Sequence, residues 1–271
     1  RTWMNFVRTR PPRPAALRRP GSVCAVTTTD AALPYADDLA LAHRLADAAD
    51  AITMARFNAR DLVVETKPDL TPVSDADKGV ERMVRETVAA ERPGDGVLGE
   101  EEAELVGTSG RRWIVDPVDG TKNFVRGVPV WATLIALVDG DDPVVGLVAA
   151  PALHRRWWAA SGLGAYAGRS LQSAQRIHVS AVSDLADASL SYASLDGWGA
   201  LGRREAFLGL MDRCWRTRAY GDFWSYMLLA EGSVDLAAEP ELATYDMAAL
   251  VPIVTEAGGR FTGVDGQPGC W

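Results

Sequence analysis

Cysteine, histidine and long apolar runs are all scarce in this sequence of 271 residues. Its three cysteines, Cys24, Cys214 and Cys270, lie far apart, which excludes a disulfide framework and a thiolate zinc site. Such cysteine usage favours a reducing compartment, so we expect a cytoplasmic protein. No apolar run approaches the ~18 residues that a membrane-spanning helix requires. Hydrophobic residues still make up 48% of the chain, which is enough to bury a large core.

Basic residues are scarce outside the first 20 positions. Those positions hold six arginines and no acidic residue, which leaves 22 basic and 36 acidic side chains on residues 21–271. An acidic body argues against a nucleic-acid partner and suits a protein that gathers carboxylates around cations. Residues 1–30 are rich in Arg and Pro without a periodic apolar face, so we expect a disordered or non-native extension before a domain at 31–271.

The spacing of apolar residues predicts the order of the structural elements. Helical periodicity covers residues 35–58, and a second helix follows the proline-punctuated segment near residue 70. Segments rich in β-forming residues then predict a largely antiparallel sheet between residues 96 and 161. Beyond about residue 180, strands alternate with helices, and the last of these helices is expected over 246–259. We therefore expect one compact unit with two lobes, about 31–180 and 181–271.

Two aspartates follow an apolar strand in the segment WIVDPVDGTKNF at 113–124. Pro117 cannot donate to a strand ladder, so the strand is predicted to end there, with Asp116 at its tip and Asp119 a short turn later. Both carboxylates can then point at one spot. Gly120 permits close backbone approach, and the free N–H groups behind it can receive an anion. The same string is also typical of an Asx turn that caps a helix.

Two further acidic positions allow both a functional and an ordinary interpretation. Glu100 lies in the segment GEEE after a short apolar strand, where a solvated loop is the ordinary alternative. Asp246 precedes an apolar helix, where it can act simply as a helix cap. Together with Asp116 and Asp119 they form a set of hard oxygen ligands without a nearby Cys or His. Such a set suits Mg²⁺.

The order of these segments resembles a known family. GEE, then WIVDPVDGT, then YDMAALVPIVTEAGG resemble the motifs of the inositol-monophosphatase-like phosphatases, over about residues 35–265. The resemblance implies a mixed α/β (α+β) sugar-phosphatase fold, a layered αβαβα sandwich. It also implies a phosphate monoester as substrate, two or three Mg²⁺ ions per active site, and a homodimer. The chain stops at GVDGQPGCW where the family continues, so we expect a truncated C-terminus.

The resemblance also implies roles for individual residues. The metal ligands it implies are Glu100, Asp116, the Val118 carbonyl, Asp119 and Asp246. Glu100 and Thr121 would orient and deprotonate the attacking water, with Asp116 in the same catalytic set. The amides of Gly120 and Thr121 would hold the phosphate.

A segment before the second helix, KPDLTPVSDAD at 67–77, resembles the mobile segment of the same family. It suggests Lys67 as a residue facing the substrate and Asp77 as a ligand of a weaker cation. A proline-rich surface loop would have the same composition. Arg203 or its neighbour Arg204 is expected to reach the site of an adjacent subunit.

The segment GDFWSYMLLAEG at 221–232 bears on the choice of substrate, because it closely resembles the histidinol-phosphate phosphatases of this superfamily. Gly221 is followed by Asp222, and Glu239 matches a glutamate of the family that faces the substrate. The two acids would bind an ammonium and an imidazole, which are cationic. The aromatic residues Phe223 and Trp224 can serve the same purpose or simply pack in the core.

The function predicted from the sequence is Mg²⁺-dependent hydrolysis of L-histidinol phosphate to L-histidinol and phosphate, in histidine biosynthesis. An inositol-1-phosphate or broad sugar-phosphate phosphatase is the enzymatic alternative. A non-catalytic protein-interaction role on the same fold is the alternative of another class, and the intact set of acidic residues argues against it.

Overall fold

The computed structural model describes residues 34–68, 70–263 and 266–267. The predicted extension at 1–30 lies outside these ranges, as does most of the C-terminal segment on which the predicted truncation rests. None of the helices in the described ranges is long and apolar enough to cross a membrane.

Eight α-helices and twelve strands are found in the described part of the chain. The helices are α1 (Ala36–Arg56), α2 (Asp75–Glu91), α3 (Thr121–Val125), α4 (Asp196–Ala200), α5 (Arg204–Met211), α6 (Asp222–Ala230), α7 (Thr244–Met247) and α8 (Leu250–Glu256). The strands are β1 (Val64–Thr66), β2 (Pro72–Ser74), β3 (Gly96–Gly99), β4 (Arg111–Asp119), β5 (Ala132–Asp139), β6 (Asp142–Ala150), β7 (Arg155–Ala160), β8 (Gly164–Gly168), β9 (Gln175–Arg176), β10 (Ser189–Tyr192), β11 (Arg216–Arg218) and β12 (Leu236–Ala238).

The strands form one large sheet and one small one, with β1 and β2 as a separate hairpin. The large sheet has seven strands in the order β3-β4-β5-β6-β7-β8-β9. The β3–β4 pair is parallel and the other pairs are antiparallel, which confirms the predicted sheet between residues 96 and 161. The small sheet has the order β11-β10-β12 and is wholly parallel.

Alternate residues of the large sheet pack against helices on opposite faces. Along β4, Trp113 and Val115 join a buried cluster with α1 and α2, whereas Ile114 joins a cluster with α6 and α8. This alternation is the two-residue period of a strand with both faces buried. The small sheet packs in turn against α4 and α5, through Leu190 of β10 and Trp198 of α4. The layer order confirms the predicted αβαβα sandwich, and the limits of the two lobes stay a prediction.

The predicted end of a strand at Pro117 is wrong, because β4 continues to Asp119. The ladder shifts register between Asp116 and Asp119, so the proline sits in an irregularity that needs no ladder N–H. The backbone groups there find side-chain partners instead. The Val118 N–H donates to Asp116 Oδ1 at 3.0 Å, and the Thr133 hydroxyl donates to the Pro117 carbonyl at 2.8 Å.

The predicted single helix over 246–259 is also wrong, because the structure has two short helices, α7 and α8. Pro252 explains the interruption: it has no N–H to offer to the carbonyl of Ala248, and its ring crowds that carbonyl. A further difference lies at residues 216–218, where strand β11 pairs with β10 and where the sequence predicted no strand.

Gly146 of β6 sets how closely α8 approaches the sheet. A Cβ at this position would lie 2.2 Å from the Ala249 carbonyl oxygen and 2.6 Å from Pro252 Cγ. We expect Gly146→Ala to push the helix away and to reduce the free energy of unfolding by about 1–3 kcal/mol. The matched control is Gly209→Ala on α5, where a Cβ meets no atom within 4 Å. Urea denaturation should show the control unchanged or more stable by about 0.5–1 kcal/mol. Equal stability of the two variants would contradict the close packing of α8.

Candidate active site

Three carboxylates from two distant parts of the chain meet at the end of β4. Asp116 and Asp119 lie on β4, and Asp246 lies in the first turns of α7. Each offers an oxygen such that these atoms all lie within 4.8 Å of one another. Asp116 is buried, and the other two are half-buried. The structure thus brings together three of the five acidic residues proposed from the sequence as ligands.

Main-chain N–H groups hold all three carboxylates. Asp116 Oδ1 accepts the bond from Val118 described above, and Asp119 Oδ2 accepts from the Phe223 N–H at 2.7 Å. Asp246 Oδ2 accepts from the Ala243 N–H at 2.7 Å, at the start of α7. A carboxylate has two oxygens, so one main-chain bond orients the group and leaves it free to bind a cation.

The cluster is electrostatically unfavourable on its own. Burial raises the pKa of Asp116 well above its usual range, and repulsion from Glu100, Asp119 and Asp246 adds to this effect. Burial and the nearby Asp222 carboxylate likewise raise the pKa of Asp119. Burial is also the main cause that raises the pKa of Asp246 to about 7. Clustered buried carboxylates of this kind are stabilised by a bound cation, and an all-oxygen donor set fits a hard divalent ion.

Glu100 follows β3 and is held by Lys67. The Lys67 ammonium lies 2.7 Å from Glu100 Oε1 and 2.6 Å from Glu101 Oε1. Burial lowers the pKa of Lys67, but the two carboxylates outweigh that effect and raise it. Glu100 contributes to the raised pKa values of Asp116 and Asp246, which places it beside the cluster. The structure thus pairs Lys67 with Glu100, and the roles of these two residues toward substrate and metal stay predictions.

Asp77 lies in the capping box that starts α2. Its Oδ2 accepts hydrogen bonds from the Ser74 N–H at 2.8 Å and from the Ser74 hydroxyl. Its Oδ1 is buried and has no hydrogen-bond partner within the described ranges. Burial raises the pKa of Asp77 to about 6, and Glu100 adds to the shift. Asp77 is thus near Glu100 with one unused oxygen, and its role as a ligand of a weaker cation stays a prediction.

The turn after β4 joins the cluster to α3. Gly120 has φ +83°, a left-handed conformation that favours glycine, and a Cβ there would lie 3.4 Å from Asp222 Oδ2. The Thr121 hydroxyl donates to the Val118 carbonyl at 3.0 Å. Gly120, Thr121 and the Val118 carbonyl therefore lie side by side, and their roles toward phosphate, water and metal stay predictions.

A second pair of acids lies next to the cluster. Gly221 leads into α6, and Asp222 has φ +47°, a conformation uncommon for any residue but glycine. Asn123 Nδ2 lies 3.4 Å from Asp222 Oδ2 and also donates to the Val130 carbonyl at 2.9 Å. Glu239 is only 6% exposed, and its Oε1 has no hydrogen-bond partner among the residues described. Burial, Asp222 and Asp246 together raise the pKa of Glu239 well above its usual range.

A family model described as the inositol monophosphatase family matches residues 36–271. The chain belongs to this family. It is 64% identical over 239 residues to a histidinol-phosphatase of Streptomyces coelicolor, which covers 87% of this chain and 90% of that protein. It is 60% identical over 233 residues to a histidinol-phosphatase of Mycobacterium tuberculosis, covering 86% and 90%. Both relatives are therefore similar over nearly the whole matched domain.

A solved inositol monophosphatase from Zymomonas mobilis has the same fold. It superposes with a TM-score of 0.72 at 37% identity and covers 83% of this chain and 85% of that one. An inositol monophosphatase from Thermotoga maritima gives a TM-score of 0.75 at 28% identity, with coverage of 86% and 87%. The sugar-phosphatase fold implied by the sequence motifs is thus confirmed.

Three further residues named from the sequence lie outside the acidic cluster, and one residue near the cluster was not named. Arg203 is exposed just before α5, and no hydrogen bond joins its side chain to the acidic cluster in the described part of the chain, so its role across a subunit boundary stays a prediction. Phe223 is buried in the core, and Trp224 is half-buried against Tyr220. Asn123 was missed by the sequence reasoning, although its place inside the segment at 113–124 is a clue to its position.

The carboxylate cluster should weaken the metal-free fold as the pH rises. Asp246 has a folded pKa of about 7 against an ordinary value of 3.8, so the folded protein holds a proton that the unfolded chain loses. Stability is then highest below about pH 4 for this group and falls as the pH rises through about 7. We expect Asp246→Asn in EDTA to raise the free energy of unfolding by about 1–4 kcal/mol at pH 8 and by little at pH 4.

Thermal denaturation in EDTA and in Mg²⁺ measures this effect. The wild type should gain more from Mg²⁺ than Asp246→Asn does, because the substitution removes an anionic donor. The exposed Asp212 supplies the control, and Asp212→Asn should follow the wild type at both pH values. If Asp246→Asn were less stable than the wild type in EDTA at pH 8, the cluster would not be a cation site of the kind described.

Proposed function

We propose that this protein is a Mg²⁺-dependent phosphatase that hydrolyses L-histidinol phosphate to L-histidinol and phosphate, as a step of histidine biosynthesis. The names of its relatives at 60–64% identity support the activity. The observation that carries the choice of substrate is the pair Asp222 and Glu239. Asp222 is half-buried and Glu239 is buried beside the carboxylate cluster, and Glu239 Oε1 has no partner among the described residues.

The buried acid pair favours a ligand with positive charge. Burial is the main cause that raises the pKa values of both Asp222 and Glu239. The ionised form of each acid is therefore unfavourable unless a positive charge lies beside it. An ammonium or imidazolium that enters beside them supplies the missing counter-charge and hydrogen-bond donors. Histidinol phosphate carries both of these groups, whereas inositol phosphate offers only hydroxyls. The Asn123 side chain, at 3.4 Å from Asp222 Oδ2, helps to orient that acid.

The metal ions of the proposed enzyme are two or three Mg²⁺, held by Glu100, Asp116, the Val118 carbonyl, Asp119 and Asp246, with Asp77 at the weaker site. When bound, they neutralise the phosphate ester and lower the pKa of the attacking water.

The protein groups position the reactants in this proposal. Glu100 accepts a proton from the attacking water, and the Thr121 hydroxyl orients that water. The main-chain N–H groups of Gly120 and Thr121, at the start of α3, hold the phosphate, and the Lys67 ammonium adds a positive charge near Glu100. The water oxygen bonds to phosphorus while the bond from phosphorus to the histidinol oxygen breaks. That oxygen then takes up a proton, and histidinol and phosphate leave.

We also propose that the enzyme works in the cytoplasm as a homodimer, with Arg203 reaching toward the site of the adjacent subunit. The scarcity of cysteine and the family resemblance support these two statements. Light scattering with size-exclusion chromatography tests the dimer, and a mass near the monomer value of 29.1 kDa would reject it.

Removal of one anionic ligand tests the metal-dependent activity. We expect Asp116→Asn to abolish Mg²⁺-dependent phosphate release, because no other donor in the described cluster replaces the lost charge. The far-ultraviolet circular dichroism spectrum should stay that of the wild type. Asp212→Asn, on the surface, serves as the control and should keep full activity. Near-wild-type activity of Asp116→Asn at low Mg²⁺ would reject the assigned metal site, whereas a wild type that releases no phosphate would favour the non-catalytic alternative.

The choice of substrate is tested by Asp222→Ala. A charge-assisted hydrogen bond is worth about 1.5–3 kcal/mol, so its loss should lower kcat/KM for histidinol phosphate by about 10- to 100-fold. The same substitution should change kcat/KM for inositol-1-phosphate much less, since that substrate has no cationic group. Both constants are measured at saturating Mg²⁺, with Asp212→Ala as the control. If the wild type preferred inositol-1-phosphate, or if both substrates suffered equally, the histidinol assignment would fall and a broader sugar-phosphate phosphatase would remain.

A further inference from the structure

Glu81 is a fully buried carboxylate that has no part in the acidic cluster. It lies on α2 and is 0% exposed, next to Val80 and one turn before Val84, which pack in the core. Burial of a carboxylate costs free energy unless the charge is paired and its oxygens are hydrogen-bonded. The partners of Glu81 therefore indicate why this position carries an acid.

The loop that carries Glu100 provides two of these partners. The Glu101 N–H donates to Glu81 Oε2 at 2.7 Å, and the Glu102 N–H donates to Glu81 Oε1 at 3.1 Å. Both main-chain groups lie directly after Glu100 in the chain. Glu81 thus holds the loop by hydrogen bonds on the C-terminal side of Glu100. On the N-terminal side the loop continues directly from strand β3.

Arg85 completes the arrangement from the next turn of α2. Its Nη2 lies 2.6 Å and its Nε 2.9 Å from Glu81 Oε1, so the buried charge is paired. The same Nη2 also donates to the Glu102 carbonyl at 3.1 Å. Glu81 and Arg85 together therefore bind both the N–H and the carbonyl of Glu102.

Gly99 supplies the space that this contact needs. A Cβ at this position would lie 2.1–2.3 Å from the carboxylate atoms of Glu81, so any larger residue forces that buried, hydrogen-bonded carboxylate or the loop to move. The glycine of the GEE motif is thus required because the Glu81 carboxylate passes against the backbone there. The preference for glycine at position 99 is therefore explained by lack of space and not by a positive φ angle.

We propose that Glu81 is a positioning residue that sets the place of Glu100 through the main chain of residues 99–102. This inference rests on the proposed role of Glu100 in metal binding and water activation. The Lys67 ammonium holds the side chain of Glu100 at 2.7 Å. The two N–H bonds to Glu81 hold the main chain directly after Glu100. In this role Glu81 acts through the loop and not by contact with the substrate or a metal ion.

The test compares Glu81→Gln with Gly99→Ala. In Glu81→Gln one oxygen becomes an NH₂ group, which cannot accept a loop N–H and does not pair with Arg85. In Gly99→Ala both Glu81 and Arg85 remain in the chain, but the new methyl group overlaps the Glu81 carboxylate, so the carboxylate and the loop must move apart. We expect each variant to lose about 10- to 100-fold in Mg²⁺ affinity, measured by calorimetry without substrate, and a similar factor in kcat. KM for histidinol phosphate should change far less.

The matched control is Glu86→Gln, the same substitution at an exposed position of the same helix, which should keep the wild-type Mg²⁺ affinity and kcat. If Glu81→Gln and Gly99→Ala melt at lower temperature but bind Mg²⁺ and turn over as the wild type does below that temperature, Glu81 is only structural and the inference is overturned. Glu100→Gln separates the two levels. If it is inactive while Glu81→Gln is normal, only the positioning role fails; if it stays active, the proposed role of Glu100 fails first.

Discussion

Repulsion among buried carboxylates is the constraint on which the rest of this structure depends. Asp116, Asp119 and Asp246 lie close enough to share a cation, and burial makes each of them harder to ionise. Such a cluster stays in place only if the surrounding fold holds it there. The hold comes from main-chain N–H groups: Val118 in the irregular end of β4, Phe223 at the start of α6, and Ala243 before α7.

The layered fold explains how the site can combine a metal-binding part and a substrate-selecting part. The end of β4, in the large sheet, carries Asp116 and Asp119. Asp222 begins α6, which packs against both sheets, and Glu239 directly follows β12 of the small sheet. The candidate metal ligands Asp116 and Asp119 and the proposed substrate-binding acids Asp222 and Glu239 thus come from different layers. A change at Asp222 can therefore alter specificity without dismantling the cluster on β4.

Local patterns could be predicted well because their physical causes are local. Helices α1 and α2 follow from apolar spacing, and the antiparallel hairpins follow from Gly and Asp between β-forming runs. The failures occur where a distant partner changes a local preference. At Pro117 a strand was expected to stop, yet side chains of Asp116 and Thr133 replace the lost ladder bonds and β4 continues. At residues 216–218 pairing with β10 makes a strand that the sequence did not predict.

The sequence by itself determined which residues are candidates for the chemistry, because the acids of the cluster lie in short motifs whose order and spacing can be recognised without a structure. It also indicated an acid pair suited to a cationic substrate. Only the tertiary structure decided how these residues are held. The bond from Phe223 to Asp119 joins positions 104 residues apart, and the bonds from Glu101 and Glu102 to Glu81 cross from a loop to a helix. Contacts between distant segments depend on how the layers pack, so they cannot be predicted from the spacing of apolar residues along the chain.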